Sequence, residues 1–298
     1  MSLGVWLGRL PQPMSRRLYP ALRCTNLMRA VEMRYLAPWT RNVAGWRVLE
    51  VGCGHGFYSL GLPLEDAYLL GCDLSSSDLQ AAQQTADGLG LTAHGTGLDG
   101  RAAYTVADAA ILPVPKDAFD LIVCNCVLEH VVDDHGALAG MYRALRPGGL
   151  LYLTVDSAEH DLALGFLERL PSGARAMLLR PEVANAPSVA QGLDDYLADR
   201  YHVLRRYRRD ELAGELEGLG FEVIDRRAYL SSLGAAHYEA FHVFRGINPQ
   251  RGLGRLVYMI TSLIFFPFAA PVDGSRRKRG YGLVFVARKA HHRRMQND

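Results

Sequence analysis

A chain of 298 residues with 49% hydrophobic and 21% charged content can bury a large core, which excludes a mostly disordered protein. Its net charge of +2 is unevenly spread: residues 1–42 carry seven arginines against Glu32 alone, and residues 251–298 carry eight arginines and two lysines against two aspartates. Basic ends on an acidic body suit an anionic partner, a membrane surface or a polyanion; the plainer alternative is solvated charge on flexible ends.

Residues 12–40 read as helical, with Leu18, Leu22, Met28, Val31 and Leu36 spaced among arginines. The first residues, MSLGVWLGRLPQPMSRR, lack the long apolar region of a signal peptide, although an Arg-rich, acid-poor start also suits a transit peptide. From Trp46 the pattern changes to short apolar runs. RVLEVGC (47–53) is a buried strand ended by glycines, and AYLLGCD (67–73) repeats the shape and ends in an acid. A polar helix follows from Ser75 to about Ala86, with Ser75 or Ser76 as N-cap. After a Gly-rich loop over 88–101 come strands at AAYTVAD (102–108) and DLIVCN (120–125). A helix over 136–149 is expected to stop at Pro147 and two glycines, before a fifth strand at 150–156. Residues 158–218 read as mostly helical, and FEVIDRRAYL (221–230) and YGLVFVARK (281–289) as late strands. Strands alternating with helix-sized connections indicate a doubly wound α/β sheet, mostly parallel.

The five cysteines (Cys24, Cys53, Cys72, Cys124, Cys126) form no paired framework, and four fall in or beside strands, which favours a reducing, cytoplasmic setting. Cys124 and Cys126 are one residue too close for a zinc knuckle.

The stretch Glu50-Val-Gly-Cys-Gly-His-Gly56 carries the most chemistry. Glycines directly after a strand let the backbone turn sharply and approach a ligand without a Cβ in the way. A dinucleotide fingerprint would need glycine at 57, where Phe57 stands, so pyrophosphate cradling is disfavoured. Asp73 ends the next strand about twenty residues on, where an acid can accept from ribose hydroxyls.

VLEVGCGHGFYSL, LLGCDLS, VADAAILPVP, FDLIVCNCVLEHV and LRPGGLLYLTV, taken in order, resemble the successive motifs of class I S-adenosylmethionine (AdoMet) methyltransferases. They are most similar to the small-molecule branch that includes ubiquinone- and menaquinone-type methylases, over roughly residues 45–160. The resemblance implies a seven-stranded sheet of order 3-2-1-4-5-7-6 and one domain over 1–298: a helical extension (1–44), the AdoMet-binding core (45–160), a helical cap (161–218), and the last two strands (219–290) with an apolar insertion (251–279). It also implies roles. Gly52, Cys53, Gly54 and Gly56 would pass under the methionine part of AdoMet, with Glu50 steering its amino end. Asp73 would hold the ribose hydroxyls and Leu74 pack on adenine. Asp108 would accept from the adenine amino group beside Ala109, and Asn125 would face the methionine part.

Methyl transfer needs alignment, desolvation and, for a hydroxyl acceptor, a proton sink. His130 is the first candidate for general base, the alternative being a structural histidine capping the next turn; His160 and His202 are weaker candidates. Some relatives bind a divalent metal through ExxEH, but Cys126 replaces the first Glu, so no metal is expected. No NPPY-type tetrapeptide follows the fourth strand, which argues against a nucleic-acid acceptor. Leu256–Val272 is uncharged, is flanked by Arg251, Arg255 and the run Arg276–Arg279, and contains Pro267 and Pro271. If the two late strands share a sheet, a single membrane crossing is excluded. An interfacial anchor, a pocket wall and a dimer face remain open. The expected function is an AdoMet-dependent methyltransferase for a small or lipid-like acceptor at a membrane surface; the alternatives are a soluble small-metabolite O-methyltransferase and a non-catalytic AdoMet-binding subunit.

Overall fold

The apolar runs form the middle of one sheet. A computed structural model describes residues 27–62, 67–91, 102–160, 164, 167, 169–179, 203–230, 233–244, 252–272 and 279–290. Its strands are β1 (Arg47–Val51), β2 (Tyr68–Asp73), β3 (Ala102–Val106), β4 (Phe119–Asn125), β5 (Leu145–Asp156), β6 (Phe221–Tyr229) and β7 (Gly282–Lys289). They lie in the order β3-β2-β1-β4-β5-β7-β6, as the resemblance implied. Strands β1 to β5 pair in parallel, and β7 runs antiparallel to both β5 and β6. Every residue of β4 is buried, because helices cover both sheet faces. Register places the carboxyl ends of β1, β2 and β4 side by side, with Val51 opposite Cys72 and Cys124. That edge is where open α/β sheets bind ligands.

Among the described residues the helices are α1 (Leu27–Leu36), α2 (Ser76–Gly88), α3 (Asp134–Ala144), α4 (Ser172–Leu178), α5 (Arg209–Gly218), α6 (Leu233–Val243) and α7 (Gly252–Val272). One face of the sheet is covered by a cluster that includes Leu27, Val31 and Leu36 of α1 with Tyr152 and Tyr229. The opposite face packs Leu138 and Met141 of α3 and Leu212 and Leu216 of α5. Ser75 caps α2 by accepting from the Asp78 N–H at 3.2 Å.

Two expectations need correction. The helix read over 12–40 is described only as α1, which gives way to a 3-10 turn at Ala37–Trp39, because Pro38 has no N–H with which to continue the helical ladder; residues 12–26 lie outside the described residues. The helix read over 136–149 ends at Ala144, and Pro147 and its glycines belong to the start of β5. Leu145 already pairs with Phe119, and a bulge before Leu121 absorbs the extra residues. Within the segment read as mostly helical, the described residues include the helices α4 and α5 and an extended stretch in which Tyr207 runs beside the end of β5, its N–H donating to Asp156 O at 3.0 Å; residues 180–202 lie outside the described residues.

Candidate active site

Two adjacent turns build the site, and one carboxylate joins them. After β1, Gly52 takes φ +65°, and a Cβ there would stand 2.2 Å from Val127 Cγ2. Gly54 takes φ +47° with no atom within 4 Å of its Cβ position, so its open side faces free space. At the end of β2, Asp73 Oδ2 accepts from the Gly54 N–H at 2.8 Å, and Oδ1 accepts from the Ser75 N–H at 2.9 Å. Asp73 thus fixes the glycine turn to the start of α2.

Beside these turns opens a cavity of about 470 Å³, the size of a small-molecule site. Gly52, Asp73, Leu74, Asp108, Ala109, Cys126 and His130 are among the residues that line it. Asp108 also caps the following 3-10 turn, Oδ1 accepting from the Ala110 N–H at 2.9 Å. His130 ends the short turn Leu128–His130 that follows β4.

The other sequence candidates are not among the residues that line this cavity. Glu50 is buried and accepts the N–H groups of Tyr58 and Ser59 at 3.3 Å each, and the Ser59 hydroxyl, so it locks the segment after the glycine turn. The Cys53 thiol is buried, and burial first, then Glu50 and Asp73, pushes its pKa far up; it acts as an apolar filler. A Cβ on Gly56 would meet Leu60 Cδ1 at 2.7 Å. Asn125 is buried, with Oδ1 unpartnered among the described residues. His160 is tied down, Nδ1 lying 2.9 Å from Ser157 O and its ring 4.5 Å from that of Tyr281. His202 lies outside the described residues.

The cavity fits AdoMet on structural grounds. The open side of Gly54 leaves room for a ligand backbone, acids end β2 and follow β3, and Asn125 supplies a buried acceptor in want of a donor.

Two features escaped the sequence reading. Glu129 is buried, and burial first, then Asp156, raises its pKa well above the usual carboxylate range; burial also raises that of Asp156. One ligand atom each from Cys126, Glu129 and Asp156 lie within 4.8 Å of one another. Burial also holds the Cys126 thiol well above its ordinary pKa, and a thiol with two carboxylates differs from the all-oxygen shell of magnesium. The second feature is Glu32. It is fully buried and gathers Arg29, Tyr58, Asn125 and Tyr229. The signal was available, since Glu32 stands alone among seven arginines in residues 1–42.

Residues 49–153 match the family model described as a methyltransferase domain. A ubiquinone biosynthesis O-methyltransferase of Rhizobium rhizogenes is 33% identical over 163 residues, which are 52% of this chain and 62% of that protein, less than two thirds of its length. A protein of the same name from Methylococcus capsulatus is 27% identical over 226 residues, 74% of this chain and 86% of that protein. Among solved structures, the cyclase SpnF matches with TM-score 0.53 at 20% identity, covering 95% of this chain and 85% of that chain. Haemonchus contortus phosphoethanolamine N-methyltransferase 2, in complex with S-adenosyl-L-methionine, matches with TM-score 0.55 at 15% identity, covering 87% and 52%. At such identities the two structures establish a shared fold and leave the reaction open.

Proposed function

We propose that this chain, which carries a class I AdoMet-dependent methyltransferase domain resembling the ubiquinone methylases, transfers a methyl group from AdoMet to a small-molecule or lipid-like acceptor at a membrane surface. The observation that carries the reading is the cavity itself, lined by Gly52 of the glycine turn, Asp73, Asp108 and His130 together. AdoMet, when bound, supplies a sulfonium methyl with an already activated leaving group. The chain's residues do the rest. Asp73 keeps lone pairs beyond its two backbone bonds and would accept the ribose hydroxyls. Asp108 would accept from the adenine amino group, with Leu74 against the ring. Asn125 Oδ1 would accept from the methionine ammonium. His130 would take the proton released when a hydroxyl is methylated. We give a metal no part in this reading, since the thiol of Cys126 occupies the position of an oxygen ligand.

The membrane part rests on α7. Leu253, Leu256, Val257, Ile260, Leu263 and Ile264 are exposed at helical spacing, whereas Tyr258 and Ser262 between them are buried. Tyr258 packs on His237 and Phe241 of α6 at ring distances of 5.2 and 4.6 Å. The helix therefore lends one face to the fold and leaves an apolar stripe outside, flanked in sequence by Arg251, Arg255 and the basic run 276–279. Such a stripe between cations suits the surface of an anionic bilayer. No helix among the described residues is long and apolar enough to cross a membrane. The four described cysteines are unpaired, which fits a cytoplasmic face.

The test is transfer of label from methyl-labelled AdoMet to demethylated ubiquinone precursors, the acceptor class that the relatives' names suggest. Label in a ring hydroxyl supports the reading. AdoMet binding without transfer to any small acceptor would favour the non-catalytic alternative.

A further inference from the structure

We propose that Glu32, on the N-terminal helix and outside the matched domain, is a positioning residue that sets Asn125 and Cys126 for the methionine end of AdoMet; this rests on the reading of the cavity given above. Glu32 is fully buried, and its contacts reach β4, β5, β6, Tyr58 after the glycine turn and Cys126 after β4. Oε2 accepts from Arg29 Nη1 at 2.9 Å, from Asn125 Nδ2 at 3.3 Å and from the Tyr58 hydroxyl. Oε1 accepts from the Tyr229 hydroxyl at 2.6 Å and from the Cys126 thiol at 3.4 Å. Its main-chain carbonyl accepts from the Tyr152 hydroxyl at 2.7 Å.

Donor and acceptor chemistry gives this hub a direction. A carboxylate can only accept, so the amide of Asn125 must turn its NH2 toward Glu32. Burial raises the pKa of Tyr58 well above its ordinary value, so the phenol keeps its proton and spends it on Glu32. The phenol oxygen then accepts from Asn125 Nδ2 at 2.6 Å and from Arg29 Nη1 at 2.7 Å. With both amide hydrogens drawn into the hub, Oδ1 is the end left over. It is the buried atom that lacks a partner, one residue before the cavity wall. Glu32 thereby decides that Asn125 offers the site an acceptor, which suits a cationic ligand group.

The same carboxylate holds Cys126 in an unfavourable shape. Cys126 lines the cavity at φ +50°, in the left-handed region that non-glycine residues avoid. Its N–H donates to Thr154 O at 3.0 Å, and its thiol reaches Glu32, Thr154 and Tyr229. A backbone strained at a ligand cavity and held by buried side-chain bonds is the arrangement expected where position matters more than stability.

The test is a double-mutant cycle on AdoMet affinity, measured by calorimetry on the full chain. Wild type, Glu32→Gln, Asn125→Ala and the pair are compared, with Leu36→Val as a control that loosens the same helix without touching the hub. Glu32→Gln is expected to weaken AdoMet binding by roughly tenfold or more, and the pair to bind within about twofold of Asn125→Ala alone, because the two residues act in series. Leu36→Val should lower the melting temperature and leave affinity unchanged. If Glu32→Gln does not fold, Glu32→Asp, which keeps the charge one methylene short, is measured under the same criteria. Wild-type affinity in the Glu32 variant, or losses that multiply in the pair, would reduce Glu32 to a structural residue. Failure of the wild type to bind AdoMet would instead overturn the cavity reading, and this proposal with it.

Discussion

Replacing Asp73 by alanine probes the proposed cofactor site most directly, because the carboxylate would have two tasks. It faces the cavity, where it would accept two ribose hydroxyls, and it already accepts the N–H groups of Gly54 and Ser75 at 2.8 and 2.9 Å. Hydrogen bonds to a charged acceptor contribute about 1.5–3 kcal/mol each, so two ribose bonds are worth about 3 kcal/mol once water in the variant recovers part of the loss. That corresponds to roughly a hundredfold weaker binding or more. The freed N–H of Gly54 would also loosen the glycine turn, in the same direction. The matched control is Ser75→Ala, which removes the α2 cap at Asp78 and should cost about 1 kcal/mol of stability with little effect on affinity. Titration calorimetry gives both affinities, and thermal melts show that both proteins are folded. An Asp73→Ala protein that binds AdoMet within about threefold of wild type would refute the ribose assignment, since even one charged hydrogen bond is worth more than that.

His130→Ala should lower turnover on a hydroxyl acceptor by about 10²–10⁴-fold with AdoMet affinity preserved, and near-normal turnover would return His130 to a structural role. Aspartates at Leu256, Ile260 and Leu263 should abolish sedimentation with anionic liposomes while AdoMet still binds. This is a cleaner probe than deleting the segment, because deletion would also take Tyr258 out of the core. If the triple variant still sediments, the exposed stripe is not the anchor. Burial holds the pKa of His237 down at about 4. The folded state therefore prefers neutral imidazole, and stability present above the ordinary histidine pKa of about 6.5 is lost as pH falls toward 4, by up to about 1.4 kcal/mol per pH unit. Melts of His237→Gln should fall less steeply than wild type across that window; parallel curves would count against the linkage.

Legibility followed locality. The strands themselves, the glycine turn and the acid at the end of β2 were readable because each rests on a short run of neighbours: a buried strand is apolar throughout, and a turn that admits only glycine shows its glycines; the order of the strands came from the family resemblance. Gly52 and Asp73 were named from such runs, Asp108 and His130 on the strength of the resemblance, and all four line one cavity. Other boundaries slipped where pairing overrode local preference, as when Leu145 joined β4 and drew Pro147 into a strand. The alternatives for residues 256–272 were beyond the sequence, because which face of an apolar helix is covered depends on what α1 and α6 present to it. The sequence by itself determined the fold class, the strand-end positions of Asp73 and Asn125 and the isolation of Glu32 among arginines. Only the tertiary structure decided that Glu32 meets Tyr58, Asn125, Cys126 and Tyr229, residues up to 197 positions away. Such a hub leaves no local pattern, since a buried carboxylate is tolerated only where distant donors converge on it, and that convergence exists only in the folded chain.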